Sequence, residues 1–394
     1  AGDWPQLLGS GLRDGDASDI SLDAPPQLVG AIPLSDAILA SPVVAAGKVF
    51  VIDGSGVVFA IDAESLEVTW TFATRGGGGN CNNVAAPAVI GRYVHVGTMA
   101  GIYYVLDRDS GAVIKEINCG EPIFAAPVVG EDRVYFATLG AQAYALKPNG
   151  EVVWTWDFVR EIIGFEGDRW KGEDWLAFRG DRVTWRDHFV CSREICLVGN
   201  TLAMPAGGRT VFLQDAGETP LLRCVGEVPD YVGKEYPATF GQSADSAGNV
   251  YIQWHRRDNA GRVEIMRLTG EEVTTSFVPG TETSIDQHGL LSFASVSVRG
   301  RDVYRVRPEH GFGLCRHTAG QSGDHLRDLW RASRSRATSV CESNLGHSDA
   351  GLARQAESAL ETKSSMRSEM CCKRVWRDDS NAVAPLAWRL RLLG

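Results

Sequence analysis

The stretch Ala40 to Phe72, ASPVVAAGKVFVIDGSGVVFAIDAESLEVTWTF, decides the fold, because two further copies of its pattern follow it. Ala85 to Ile117 reads AAPAVIGRYVHVGTMAGIYYVLDRDSGAVIKEI, and Ala125 to Trp156 reads AAPVVGEDRVYFATLGAQAYALKPNGEVVWTW. The prolines that open them, Pro42, Pro87 and Pro127, stand 45 and 40 residues apart. Each copy divides into four short apolar runs. In the first these are Pro42 to Val44, Val49 to Ile52, Val57 to Ile61 and Val68 to Phe72, separated by Ala46-Gly47, Asp53 to Gly56 and Asp62 to Glu67. Glycine reaches positive φ without steric cost and Asp or Ser hydrogen-bonds its own turn, so the separators read as hairpin connections.

The middle runs, Val49-Phe50-Val51-Ile52 and Tyr135-Phe136-Ala137, carry no alternating polar residue. A sheet with one wet face alternates; a sheet stacked between two neighbours need not. Tandem four-stranded units of this length, each shielded by the next, predict an all-β β-propeller of four-stranded antiparallel blades.

The end of each unit carries the most specific pattern. Ala60-Ile61-Asp62-Ala63-Glu64-Ser65-Leu66-Glu67-Val68-Thr69-Trp70 resembles the tryptophan-docking signature of the pyrroloquinoline-quinone (PQQ) type repeat, Ala-x-Asp-x-x-Thr-Gly-x-x-x-Trp. The resemblance implies that the Asp and the Thr-Gly turn join the last two strands and that the Trp packs against the next blade. Ser65 stands for Thr and Leu66 for Gly. The second copy keeps Asp107, Ser110 and Gly111 but has Lys115 in place of Trp; the third keeps Ala145, Gly150 and Trp154 but has Lys147 in place of Asp. The repeat signature is thus carried by Asp62, Trp70, Asp107, Gly111, Gly150 and Trp154.

Further along, Ile195 to Met204 reads as strand, turn, strand, followed by Thr210 to Gln214 and Leu221 to Val225. Another unit has Gly248-Asn249 as its turn and Val250 to Trp254, Val263 to Leu268 and Val273 to Phe277 as strands. A sixth opens at Phe293 to Val298, turns at Arg299 to Asp302 and continues as Val303 to Val306. Six blade starts are therefore visible, a six-bladed ring or part of a seven- or eight-bladed one. The organisation expected is a lead-in over 1–34, a propeller over 35–312 interrupted by an insertion over 160–187, and an atypical tail over 313–394. Asp3-Trp4-Pro5 resembles the opening found before the first blade in the same family, where it lies against the propeller end.

The tail lacks Phe and Tyr, and Arg316 to Gly394 holds 13 Lys and Arg against 9 Asp and Glu, or +4, which leaves −14 for the rest of a chain of net charge −10. Three accounts of it compete: a helical appendage with a helix over Gly351 to Met370, a disordered segment, or out-of-frame residues replacing further blades. The abrupt change of composition favours the last.

Candidate chemistry concentrates in the insertion. REIIGFEGDRWKGEDWLAFRGDRVTWR, Arg160 to Arg186, sets Trp170, Trp175 and Trp185 among Glu166, Asp168, Glu173, Asp174 and Asp181. Aromatic rings beside carboxylates stack sugars and hold their hydroxyls, or supply an acid and base pair for glycosidic chemistry; the same residues also suit a cap on one end of a propeller. Trp170, Asp174, Trp175 and Trp185 are the ligand surface this pattern offers, with carbohydrate or a protein as its partner. The run RGGGGNCNN, Arg75 to Asn83, enters a strand and has no lysine, so it reads as an inter-blade loop rather than a phosphate cradle. Asp107 to Gly111 lacks the later ligands of a calcium loop. His310, Cys315, His317 and His325 are close in sequence but fit no standard metal spacing.

The acidic balance argues against nucleic acid, and no apolar run reaches the 18 residues of a membrane span. The chain starts AGDWPQ, without a secretory leader, and its nine cysteines are odd in number, without Cys-x-x-Cys spacing. The PQQ-type resemblance implies a periplasmic or extracellular location. It also offers two functions: a non-enzymatic binding scaffold like the outer-membrane protein assembly factor B lipoproteins, or a dehydrogenase holding PQQ and calcium. The dehydrogenases carry an adjacent cysteine pair over the quinone. Here the adjacent pair, Cys371-Cys372, sits in the tail, so no cofactor or catalytic residue is assigned and the scaffold is the expected function.

Overall fold

The computed structural model describes residues 2–16, 28–180, 188–227, 238–255, 260–278, 283–284, 297–299, 302–307, 313–318 and 389–393. Strand β1 (Leu28–Pro33) precedes the first blade, which is built from β2 (Val43–Ala45), β3 (Lys48–Ile52), β4 (Val57–Asp62) and β5 (Val68–Ala73). The second blade holds β6 (Ala88–Ile90), β7 (Tyr93–Gly97), β8 (Ile102–Asp107) and β9 (Val113–Asn118). The third holds β10 (Val128–Val129), β11 (Val134–Ala137), β12 (Gln142–Leu146) and β13 (Val152–Asp157). After the insertion the fourth blade follows with β14 (Cys196–Val198), β15 (Thr201–Ala206), β16 (Arg209–Asp215) and β17 (Pro220–Glu227). The fifth has β18 (Ala238–Ala244), β19 (Asn249–His255), β20 (Ala260–Thr269) and β21 (Glu272–Phe277), with β22 (Thr283–Ser284) also on β20. These sheets are antiparallel meanders in chain order, the four-stranded blades that the repeat predicts.

The sixth sheet joins β23 (Ser297–Arg299), β24 (Asp302–Arg307) and β25 (Gly313–Thr318). It runs past the boundary expected at residue 312, so Cys315 and His317 belong to a strand. The remainder of the predicted sixth opening, Phe293 to Val296, and the proposed helix Gly351 to Met370 lie outside the described residues. A last strand, β26 (Arg389–Leu393), pairs antiparallel with β1, so β structure recurs within the stretch expected to be non-β.

The core lies between blades, not within one closed sandwich. Val43, Phe50 and Ile52 of the first blade meet Val94, Val96 and Tyr104 of the second. Tyr103 and Val105 of the second meet Phe136 and Leu146 of the third, and Phe212 of the fourth meets Val250 and Met266 of the fifth. Both faces of each inner strand are buried, which is why the middle runs are apolar throughout. Burying one such side chain contributes roughly 1.5 to 3 kcal/mol, so stacking accounts for most of the stability.

A β-bulge recurs where the two outer strands pair. It falls between Ala60 and Ile61, Val105 and Leu106, Ala145 and Leu146, and Phe212 and Leu213. The extra residue opposite, Thr69, Ile114, Val153 or Arg223, shifts the pleat by one position. The residue after it is Trp70, Lys115, Trp154 or Cys224.

Candidate functional site

The residues of the repeat signature meet across blade junctions. The Asp62 carboxylate accepts hydrogen bonds from the backbone N–H of Glu64 and Ser65 and from the Ser65 hydroxyl, closing the turn between β4 and β5. Asp107 does the same with Asp109 and Ser110. It also receives the Arg92 guanidinium. The hydrogen bonds from Arg92, with those from Ser110, hold the Asp107 carboxyl far below the usual carboxylate range. Asp107 to Gly111 is thus spent on a turn.

The Trp70 indole N–H donates to the Arg108 carbonyl at 2.9 Å. Its ring covers Gly111, where a Cβ would lie 2.7 Å from it, and Gly111 has φ +72°. Only glycine fits that position on both counts. Lys115 lies against Gly150 in the same way, a Cβ there meeting its own Cβ at 2.7 Å. Trp154 docks on the fourth blade, its indole donating to Asp215, which also accepts the Tyr135 hydroxyl.

Strand alternation sends the connections between blades to one end of the propeller, opposite the docking turns. Two features emerge there. The first is Arg75 to Asn83. Its buried Asn80 and Asn83 are tied to Thr74 and to the Gly54 carbonyl, while Gly77 to Gly79 form an exposed 3-10 turn where an added Cβ would meet open space. The loop follows and precedes strands, without the helix that a phosphate cradle needs.

The second is the insertion. A π-helical turn, Val159–Ile163, leads to helix α1 (Gly172–Arg179). Arg169 anchors it: the guanidinium donates to the Gly140 carbonyl at 2.7 Å and pairs with both Asp157 and Glu121. Glu121, 7% exposed, also accepts the Thr138 hydroxyl at 2.6 Å and the Trp170 indole N–H at 3.1 Å. A charge pair removed from water persists only when its remaining lone pairs are also met, and here they are.

Of the sequence-predicted ligand surface, Trp175 is 1% exposed and lies between the rings of Phe165 and Phe189, at 4.1 and 5.6 Å. Trp170 is half-buried, with its indole N–H on Glu121 and its ring against Phe189. Asp174 accepts the Asp168 backbone N–H, and Asp168 accepts that of Trp170, so these two carboxylates order the loop before α1. Trp185 and Asp181 lie outside the described residues. The structure brings Trp170, Asp174 and Trp175 into one segment, with the indoles of Trp170 and Trp175 turned inward. What α1 presents to solvent instead is Leu176, 50% exposed, and Phe178, 44% exposed, with Arg179 over the Phe178 ring. Sequence reasoning passed over both because the tryptophans dominate the segment.

Among the described residues no three His, Cys, Asp or Glu side chains converge as a metal site. Cys81, Cys119, Cys191, Cys196 and Cys224 are free thiols, and none of them is adjacent to another in sequence. Cys371-Cys372, His310 and His325 lie outside the described residues.

Residues 28–123 match the family model described as outer membrane protein assembly factor BamB. Over those residues the repeat resembles the PQQ type. Two quinohemoprotein alcohol dehydrogenases share the architecture. That of Comamonas testosteroni superposes with a TM-score of 0.52 at 17% identity over 77% of this chain, and ADHIIG of Pseudomonas putida HK5 with 0.53 at 11% over 77%. The chain spans 57% of the length of each. BamB from Moraxella catarrhalis superposes with a TM-score of 0.46 at 16% identity over 73% of this chain and 74% of its own length. No curated protein sequence matches. At these identities the two dehydrogenase structures support the propeller fold alone, and no described helix is long and apolar enough to cross a membrane.

Proposed function

We propose that the protein is a non-enzymatic propeller scaffold of the cell envelope that binds a protein partner through the insertion between its third and fourth blades. One observation carries this reading. The rings that could have stacked a sugar, Trp170 and Trp175, are committed to packing and to Glu121, and the Asp168 and Asp174 carboxylates order the loop before α1. Beside the charged Glu173 and Arg179, α1 leaves Leu176 and Phe178 exposed. Exposed apolar side chains on a rigidly anchored element suit contact with another protein. The likeness of the first two blades to the BamB family model supports the same reading and an envelope location.

The test is chemical cross-linking in envelope fractions with the native chain and with Leu176→Ser, which removes an exposed side chain and none of the Arg169 contacts. A cross-linked partner present with the native chain and lost with the variant is the expected result. Retention of PQQ absorbance after desalting from PQQ and calcium, with dye reduction by an alcohol or aldose, would overturn it. So would tryptophan quenching by oligosaccharides that disappears in Trp170→Ala.

A further inference from the structure

The N-terminal segment does more than lie against the propeller. Each innermost strand leaves one edge unpaired, and one N–H per blade, near the end of that strand, points from that edge: Val44, Val89, Val129, Leu197 and Ala244. All five donate to consecutive parts of one segment. Val44 donates to the Trp4 carbonyl at 2.9 Å, Val89 to that of Pro5 at 2.7 Å, and Val129 to the Gln6 side-chain oxygen at 2.9 Å. Leu197 then donates to the Gly11 carbonyl at 2.7 Å and Ala244 to that of Leu12 at 2.7 Å. The segment thus visits blades one to five in order. Trp4 and Gln6 also donate in return, to the carbonyls of Val44 and Val129.

Between Gln6 and Gly11 the segment makes a turn, with Leu8 at φ 56° and Gly9 at φ 80°, the latter under the Trp4 ring. Arg13 then closes the path. It is 0% exposed, and its guanidinium donates to Leu7, Gln6, Ala126, Pro127 and Ile195. Five acceptors match the five N–H groups of a guanidinium, so its hydrogen-bonding capacity is fully met, with the Glu194 carboxylate adding a favourable charge interaction. Ala126 and Pro127 lead into the third blade and Ile195 into the fourth, so Arg13 spans the seam that the insertion interrupts.

We propose that the row of inner-edge amides is a peptide-binding site and that residues 4–13 are its resident ligand, a clasp that holds five blades in a single cooperative unit. The recognition is chemically specific. A backbone carbonyl or amide oxygen must meet each N–H, a glutamine must pair with both backbone groups of Val129, and an arginine must reach the seam. The clasp can dock only after all five blades have formed, so it completes the ring's inner wall last.

Hydrogen exchange on the native full-length chain tests this without any variant. If one event releases the clasp, the amides of Val44, Val89, Val129, Leu197 and Ala244 share one protection factor within about threefold, although they lie in five sheets. Protection differing by more than about a hundredfold among them would overturn the proposal. A second measurement asks whether the site binds a peptide. A labelled peptide of residues 2–16 should ignore the native chain, whose site is filled. It should bind full-length Gln6→Ala/Arg13→Ala, in which the resident copy is weakened, and restore protection at Val129 and Leu197. A folded double variant, verified by its circular dichroism, that leaves the peptide unbound would overturn the claim.

Discussion

The junction between blades one and two and the junction between blades two and three solve one packing problem with different parts. At the first, Trp70 lies over Gly111 and its indole N–H reaches the Arg108 carbonyl. At the second, the same position is Lys115, whose stem covers Gly150 but brings no ring and no donor to the turn. Compensation comes from deeper in the same junction. Tyr103 and Phe136 stack at 3.9 Å with planes 11° apart, and buried His95 bridges the Tyr103 hydroxyl and the Pro148 carbonyl at 2.9 Å. A repeat signature therefore marks one way to lock neighbouring blades, and its loss does not mark a weak junction.

Truncating the two docking residues breaks this comparison most sharply. Trp70→Ala should destabilise by about 3 to 5 kcal/mol, the usual cost of emptying a buried aromatic site, measured from urea midpoints at unchanged slope. Lys115→Ala should cost about 1 kcal/mol or less, because a long amphipathic stem contributes only partial burial. Equal losses would show that the lysine is a true substitute for the ring.

The next effect depends on pH. Burial drives the His95 pKa down to about 4, partly opposed by its bond to Pro148. As the pH falls below 6.5 the unfolded chain takes up this proton while the folded chain stays neutral. The stability tied to neutral His95 is therefore complete above pH 6.5 and is lost as the pH falls toward 4. Across that window the loss amounts to about 3 kcal/mol. His95→Gln keeps a donor toward Pro148 and removes the titration, so its urea midpoint should be flatter over the same range. Parallel pH profiles for the two proteins would remove His95 from the second lock.

The smallest effects concern the turn glycines. Gly111→Ala meets both a left-handed backbone and the Trp70 ring, and should cost about 2 kcal/mol or more. Leu66 holds the matching place in the first blade at φ 62° and has no earlier blade to receive. Its side chain instead fills the space beside Gly30 of β1 and packs on the Ile32, Val49 and Ile61 cluster. Relief of strain and loss of packing then nearly cancel, and Leu66→Gly should shift stability by less than about 1 kcal/mol. Differential scanning calorimetry of the two variants reads both.

Much of this was legible in the sequence for a physical reason: a blade is a local object. Turn chemistry at Asp53 to Gly56 and double-sided burial at Val49 to Ile52 are written in consecutive residues, so strand positions in the first five blades follow from them. The signature also points to Trp70 and Trp154 as docking residues. Contacts between distant segments left no such trace. Glu121 meets Trp170 and Arg169 only through the folded chain, and the tryptophans of the insertion looked like a surface because their spacing carries no burial signal. The clasp is built largely from main-chain carbonyls, which every residue type supplies. Its one mark in the sequence reading is Asp3-Trp4-Pro5 at its start; the buried Arg13 that closes it is an arginine that composition alone would place in solvent.

The recurring bulge bears on how such a protein stays apart from its own copies. The outermost strands carry Val68, Val113, Val152 and Leu222, each more than a third exposed, along borders where a foreign chain could add itself. In four blades the extra residue twists that border and interrupts its row of hydrogen-bonding groups. The pairing of β20 with β21 runs from Glu264 to Thr269 without interruption. Self-association on heating or at high concentration should therefore begin along Glu272–Phe277, and a proline there would be the economical safeguard.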